Sequence, residues 1–183
     1  MQLKPELISA IESIGFTTAT DVQERARPIV LSGKDAIVRA KTGTGKTAAF
    51  IVPIMQNMPR TNAVSALVIV PTRELALQVA TFSESLGRSM RMRTTTVYGG
   101  ASINVQINML QRGVNIVVGT PGRLIDLIER GALRLDQVKF VVLDEADRML
   151  DMGFIDDVDY ILSKTPMHKQ MMMFSATMPR AIV

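Results

Sequence analysis

The sequence predicts an α/β domain, a parallel β-sheet with helices on both faces. Three observations lead there. Short, largely apolar runs recur at 36–38, 66–70, 115–119 and 140–143 without polar alternation, as strands buried on both faces require. Helix-length segments separate them, which is the alternation of β-α-β units. A glycine-rich turn, Ala40-Lys41-Thr42-Gly43-Thr44-Gly45-Lys46-Thr47, joins the first run to the segment after it. Strand, glycine turn and helix together make the context of a phosphate-binding loop. The 183 residues read as a single domain, 1–183, with enough chain for a core of its own.

The elements follow in order. Residues 5–14 form a helix with Leu7, Ile8, Ile11 and Ile14 on one face and Gly15 at its end. Thr20 or Asp21 caps a second helix that runs to about Leu31 and closes at Gly33. Residues 36–38 are the first strand, and Ala48 onward is the helix after the loop. The run 66–70 is a strand stopped by Pro71, with Thr72 capping the next helix. Residues 92–98, rich in Thr and Val, form a third strand that ends at Gly99-Gly100, and 103–110 a short helix. The strand 115–119 leads to Thr120 as cap, Pro121 as first helical residue and a helix to Arg130. The strand 140–143 runs into Asp144-Glu145-Ala146-Asp147, and 170–174 is the last strand, ending at Ser175-Ala176-Thr177. Met171, Met172 and Met173 read as core filling. His168, the single histidine, reads as surface, and neither Tyr98 nor Tyr160 receives a role.

Composition narrows the function classes. With no cysteine, disulfides and thiolate metal sites are excluded. No apolar run approaches the roughly 20 residues that span a bilayer, and the start lacks the basic head and apolar core of a secretory leader. The expectation is a cytoplasmic protein that does not engage membranes, without internal repeats or low-complexity linkers. The net charge of +4 is unevenly spread. Residues 144–159 hold seven acids against Arg148, a local −6, so the remainder carries +10. A basic remainder suits a polyanionic partner but does not by itself identify one.

The phosphate loop carries the chemistry. Gly43 and Gly45 permit backbone conformations that a Cβ would forbid, and the N–H groups of the helix start face an anion with the dipole behind them. Lys46 reaches outer phosphates, and the Thr47 hydroxyl can hold Mg²⁺. Three carboxylates in four residues at a strand end repel one another unless a divalent cation gathers them. Asp144 would hold that cation, and Glu145 would orient or deprotonate water. The alternative is an acidic helix start, which the dipole also favours. Arg73 is either a surface ion pair or a phosphate contact at a strand end. Arg123 lies in a first helical turn, where the dipole disfavours a cation and a nearby anion would account for it. Phe16 is a core plug or a platform for a planar base. Gln23 is a surface amide or a reader of an adenine edge.

Seven segments in fixed order then carry a resemblance. These are Gly15-Phe16 with Gln23, the loop at 40–47, Pro71-Thr72-Arg73-Glu74-Leu75-Ala76, Gly99-Gly100, Thr120-Pro121-Gly122-Arg123, Asp144-Glu145-Ala146-Asp147 and Ser175-Ala176-Thr177. Together they resemble the N-terminal RecA-like domain of a DEAD-box ATP-dependent RNA helicase, a P-loop NTPase fold, over essentially the whole chain. The family's phosphate loop commonly opens with Ala, as Ala40 does here. The resemblance implies ATP and Mg²⁺ as cofactors and a Q motif in which Phe16, Thr20 and Gln23 read adenine. It implies phosphate contacts from Ala40 through Thr47, and Mg²⁺ held by Thr47 and Asp144. Lys46, Asp144, Glu145 and Asp147 would serve catalysis, and Asp147, Ser175 and Thr177 would couple the nucleotide to RNA. Pro71, Thr72, Arg73, Gly99, Gly100, Thr120, Pro121, Gly122 and Arg123 would meet the sugar-phosphate backbone of single-stranded RNA or an RNA duplex.

Partners implied are RNA and a second RecA-like domain, in a monomeric enzyme that couples ATP binding and hydrolysis to local RNA duplex separation or remodelling of RNA–protein complexes. Two departures are local. Ala19-Thr20-Asp21-Val22-Gln23 stands where the family usually has Pro-Thr-Pro-Ile-Gln, and an upstream aromatic would fall before Met1. With Val183 just past Ser-Ala-Thr, the second domain and its arginine fingers are expected to be missing. An arginine finger contributes roughly 10³–10⁵ to turnover in related phosphoryl transfers, so weak activity is expected of this chain alone. The alternative is a module that binds ATP or RNA without turnover.

Overall fold

The computed structural model describes residues 2–182, so Met1 and Val183 lie outside the described residues. Helices α1 (Pro5–Ser13) and α2 (Asp21–Leu31) precede strand β1 (Ala36–Arg39). Then follow α3 (Lys46–Asn57), β2 (Ala66–Ile69), α4 (Arg73–Gly87), β3 (Thr94–Val97), α5 (Ile103–Gln111), β4 (Ile116–Gly119) and α6 (Pro121–Glu129). The last part holds β5 (Phe140–Asp144), α7 (Ala146–Asp151), α8 (Ile155–Ser163) and β6 (Gln170–Ser175). The strands form one six-stranded sheet in the order β1-β6-β5-β2-β4-β3, with every pairing parallel.

Alternation along the strands divides the core in two. Ala66, Val68, Ile116, Val118, Val142, Met172 and Phe174 face α3 and α4, where Phe50, Ile54 and Met55 meet them. Leu67, Ile69, Val117, Val141 and Leu143 face the other way, against Leu124 and Leu127 of α6, Met149 of α7 and Ile161 of α8. Both faces of β2, β4 and β5 are thus covered, and every residue of those strands is buried. That is why these strands read as unbroken apolar runs. The chain moves from β1 through β2 to β3 with α3 and α4 on one face, then returns through β4, β5 and β6 with its helices on the other. All six strands therefore point their carboxyl ends to one rim, where open parallel sheets hold ligands.

The expected elements occur within a residue or two of their sequence-based limits. One helix was not anticipated. Val158 and Ile161 give α8 its buried face, but Asp156, Asp157 and Asp159 around them read as a charge run.

Candidate functional site

Two groups of residues collect on that rim. The first lies over β1, β6 and β5. Gly43 and Gly45 take left-handed φ values of 82° and 80°. A Cβ on Gly45 would also stand 2.6 Å from Gln23 Nε2 and 3.0 Å from Thr20 Oγ1, so both backbone and packing require glycine there. Lys46 opens α3 and is only 6% exposed. Its Nζ stands 3.0 Å from Asp144 Oδ1 and 3.5 Å from Glu145 Oε1.

Asp144 closes β5 at 0% exposure. Its Oδ1 forms a 3.0 Å ion pair with the Lys46 ammonium, and beyond that contact neither carboxylate oxygen has a hydrogen-bond partner among the described residues. Burial pushes the Asp144 carboxyl above its ordinary range, against the opposing pull of Lys46. A buried carboxylate left this way is unfavourable. A hard divalent cation is the group its two oxygens fit, so the donor chemistry suits Mg²⁺ held by one carboxylate, a hydroxyl and phosphate oxygens. Thr47, half-buried at the second position of α3, supplies a hydroxyl on the same helix start.

The three carboxylates do not gather around one point, which corrects the sequence reading. Among the described residues no group of three His, Cys, Asp or Glu could cage a metal. Backbone geometry separates them. Glu145 sits at φ 55°, a left-handed conformation that strains a non-glycine residue by about 1–3 kcal/mol. Its Oε1 meets Lys46, and its Oε2 accepts from Arg148 Nη1 at 2.8 Å. Asp147 belongs to the next turn and meets β6's end. Its Oδ2 accepts from the Thr177 N–H (3.1 Å) and hydroxyl (3.0 Å), and its own N–H donates to Ser175 Oγ at 3.0 Å. Burial pushes the Asp147 carboxyl up, but the bonds from Thr177, Ser175 and the Arg148 N–H outweigh it and hold it below the ordinary value.

Thr20 and Gln23 form a reciprocal capping box at the start of α2. Gln23 Oε1 accepts from the Thr20 N–H at 3.1 Å, while its Nε2 donates to the Gly45 carbonyl at 3.1 Å. The amide thus ties α2 to the phosphate loop. Phe16 is no core plug. It is 44% exposed, its ring tilted 5.6 Å from Phe82. Phe16 and Gln23 border a cavity of about 500 Å³ that Ala49, Val52 and Pro53 of α3 floor with apolar surface.

The second group lies over β2, β4 and β3. Pro71 is buried, and Thr72 caps α4 by accepting from the Leu75 N–H at 3.3 Å. The Arg73 guanidinium lies 4.8 Å above the Tyr98 ring, which gives that tyrosine a role the sequence did not suggest. Arg123 donates from both terminal nitrogens to the Ala101 carbonyl at 3.1 Å and from Nη1 to Gln106 Oε1 at 2.9 Å. Gln106 in turn donates to the Tyr98 carbonyl at 3.1 Å. Within the chain, neutral oxygens hold Arg123 in its helix turn, and no acidic side chain lies within ion-pair distance of it among the described residues. Thr120 takes the cap position of α6, but its hydroxyl makes no capping bond. Gly99, Gly100 and Gly122 are exposed beside these side chains.

The sequence reading missed Gln106 and Arg148. Arg148 was legible as the residue three places after Glu145 in a helical turn. Gln106 was not, because nothing in an isolated amide distinguishes a buried bridge from a surface side chain. His168 is exposed, as expected. No helix among the described residues is long and apolar enough to cross a membrane.

Similar proteins carry the same arrangement of chain. The family model described as DEAD/DEAH box helicase matches residues 20–183. RNA helicase CrhR of Synechocystis is 53% identical over 172 residues, covering 94% of this chain and 35% of the relative. The DEAD-box ATP-dependent RNA helicase CshA of Geobacillus kaustophilus is 50% identical over 98% of this chain and 39% of its own length. A crystallised DEAD box protein from Methanococcus jannaschii superposes with a TM-score of 0.94 at 44% identity, over 100% of this chain and 50% of that one. The chain thus spans roughly a third of the length of the curated relatives it matches. Its fold is RecA-like, and the chain belongs to the DEAD/DEAH box helicase family.

Proposed function

We propose that this domain binds Mg²⁺-ATP at the first group and the backbone of RNA at the second, as half of a helicase that couples ATP hydrolysis to local duplex separation. The observation that carries the reading is Lys46, buried at a helix start between the carboxylates of Asp144 and Glu145, with Asp144 making no hydrogen bond beyond that ion pair. An ion pair built this way is poorly satisfied until an anion and a cation enter together. When bound, Mg²⁺ and ATP bring the reactive phosphoryl group and the charge that offsets Asp144.

The chain's own residues then divide the work. Ala40 through Thr44 line the approach, the N–H groups at the start of α3 face the phosphates, and Lys46 turns from its carboxylates to the outer ones. Thr47 and Asp144 hold the cation. Glu145 leaves Lys46, orients water and accepts its proton. Phe16, Thr20 and Gln23 take the adenine beside the apolar cavity as a Q motif, with amide contacts that suit an adenine edge. Asp147, Ser175 and Thr177, bonded across the ends of β5 and β6, carry a shift at Asp144 toward a second RecA-like domain. Arg73, Arg123 and the loops at 99–100 and 120–122 hold sugar and phosphate without reading bases. The intact enzyme is read as a cytoplasmic monomer.

ATP turnover of the intact two-domain enzyme with and without single-stranded RNA, beside Glu145→Gln, tests the reading. Glu145→Gln is expected to lower turnover by about 10²–10⁴ while nucleotide still binds. Equal turnover in the variant would remove Glu145 from the chemistry.

A further inference from the structure

Between Glu84 and Asp126 the chain has no acid and five arginines, Arg88, Arg91, Arg93, Arg112 and Arg123. Arg123 belongs to the rim. The other four lie at the opposite end of the sheet, where β3 begins, and all four are exposed. Arg88, Arg93 and Arg112 line one depression of about 580 Å³, and Glu84 is the one acid among its lining residues. None of the four forms an ion pair among the described residues. Their partners are neutral. Arg93 Nη1 donates to the Arg112 carbonyl at 2.7 Å, and Arg112 Nη1 stands 3.9 Å from Met109 Sδ. Three like charges around one depression, with Glu84 the single acid beside them and no ion pair formed, repel each other, and folding gains little from gathering them.

We propose that this cluster is a second RNA-backbone contact, engaged by the same strand that occupies the rim. The proposal rests on the RNA reading of the rim. β3 is an edge strand of the sheet, with Arg93 just before it and Tyr98 just after it. At about 3.4 Å per residue the two ends lie about 17 Å apart. An RNA leaving Arg73, Tyr98 and Arg123 along this edge reaches the guanidinium groups after a few nucleotides. Arginine without an acidic partner is the side chain for such contacts, since its planar fork matches phosphate oxygens. The contact adds affinity and length dependence, not sequence preference.

The test measures binding of the 183-residue chain to oligouridylates of about six and about twenty nucleotides over a salt series, with Mg²⁺ and a non-hydrolysable ATP analogue. Arg88→Gln/Arg93→Gln/Arg112→Gln is compared with the parent. Each lost phosphate contact lowers the slope of log affinity against log salt by about 0.7, so the triple variant should lose about 2 on the long RNA and nothing on the short one. An unchanged slope on the long RNA, or equal loss on both lengths, overturns the proposal; the first result would point instead to an acidic protein segment as the patch's partner. If the triple variant does not fold, Arg88→Gln and Arg112→Gln singly should each lose about 0.7. Should the short RNA fail to bind the parent protein, the rim reading fails, while the slope difference on the long RNA still decides the patch.

Discussion

The two halves of the rim treat positive charge in opposite ways. Over β1, β6 and β5, Lys46 is buried and matched by two carboxylates, with a third pair from Arg148 to Glu145. Over β2, β4 and β3, Arg73 lies on an aromatic face and Arg123 on neutral oxygens, with no acid within ion-pair distance among the described residues. An anion reaching Arg73 or Arg123 adds to a charge already on offer. An anion reaching Lys46 must replace a partner, and the displaced carboxylates then need a cation or a proton to handle. The first half is therefore an exchange site and the second an addition site. On the function proposed above, exchange would move Glu145 and Asp144, which are joined through Asp147 to the end of β6, and would so have a mechanical consequence that addition lacks.

The contrast can be broken at several points. The largest effect short of removing Lys46 is expected at Asp144. Chelating Mg²⁺ should weaken ATP binding by at least about tenfold, or 1.4 kcal/mol, in the parent protein and leave Asp144→Asn unchanged. Equal sensitivity of the two proteins to chelation would take Asp144 out of the cation site. On the addition side, Arg123→Ala removes charged donors from Ala101 and Gln106, bonds of the kind that contribute about 1.5–3 kcal/mol. RNA affinity should fall roughly tenfold or more, while ATP affinity, measured on the same protein, stays put. A matching fall in ATP affinity would mean the halves are not separable in this way.

Asp147 sharpens the link between them through pH. Its folded pKa lies below the ordinary value of 3.8, so its hydrogen bonds contribute stability that is complete above that value and is lost as pH falls through the lower, folded one. Melting temperature against pH should therefore drop more steeply at the acid end in the parent protein than in Asp147→Asn. Parallel curves would show that the bonds from Thr177 and Ser175 hold no charged carboxylate. The smallest effect belongs to Arg148→Gln. Its side chain is 53% exposed and, although Glu145 is buried, that carboxylate keeps its Lys46 contact when Arg148 is removed, so the loss should stay near about 1 kcal/mol and melting should move little. A large loss would make the Arg148–Glu145 contact structural rather than a resting position of Glu145.

The addition side was the less legible half in the sequence. Gly43, Gly45, Lys46 and Thr47 could be read because a strand, a glycine turn and a helix constrain one another over a dozen neighbouring residues. Strands β2, β4 and β5 could be read because burial on both faces leaves only apolar residue types. Arg73 and Arg123 were found, but their surroundings were not, since Tyr98, Ala101 and Gln106 reach them from separate elements. The acidic run misled for the same reason. Adjacency in sequence suggested convergence, while the left-handed turn at Glu145 sends Asp144 and Asp147 to different neighbours. Helix α8 was hidden by Asp156, Asp157 and Asp159, which stand around its buried Val158 and Ile161.

The most direct test of the exchange site is equilibrium binding of Mg²⁺-ATP to the parent protein and to Lys46→Ala. The account predicts that the parent binds and that the variant loses at least about two orders of magnitude, near 3 kcal/mol, because nothing else at the start of α3 reaches the outer phosphates with a full charge. Binding of equal strength in the two proteins would contradict it, and would leave Lys46 as no more than the counter-ion of Asp144.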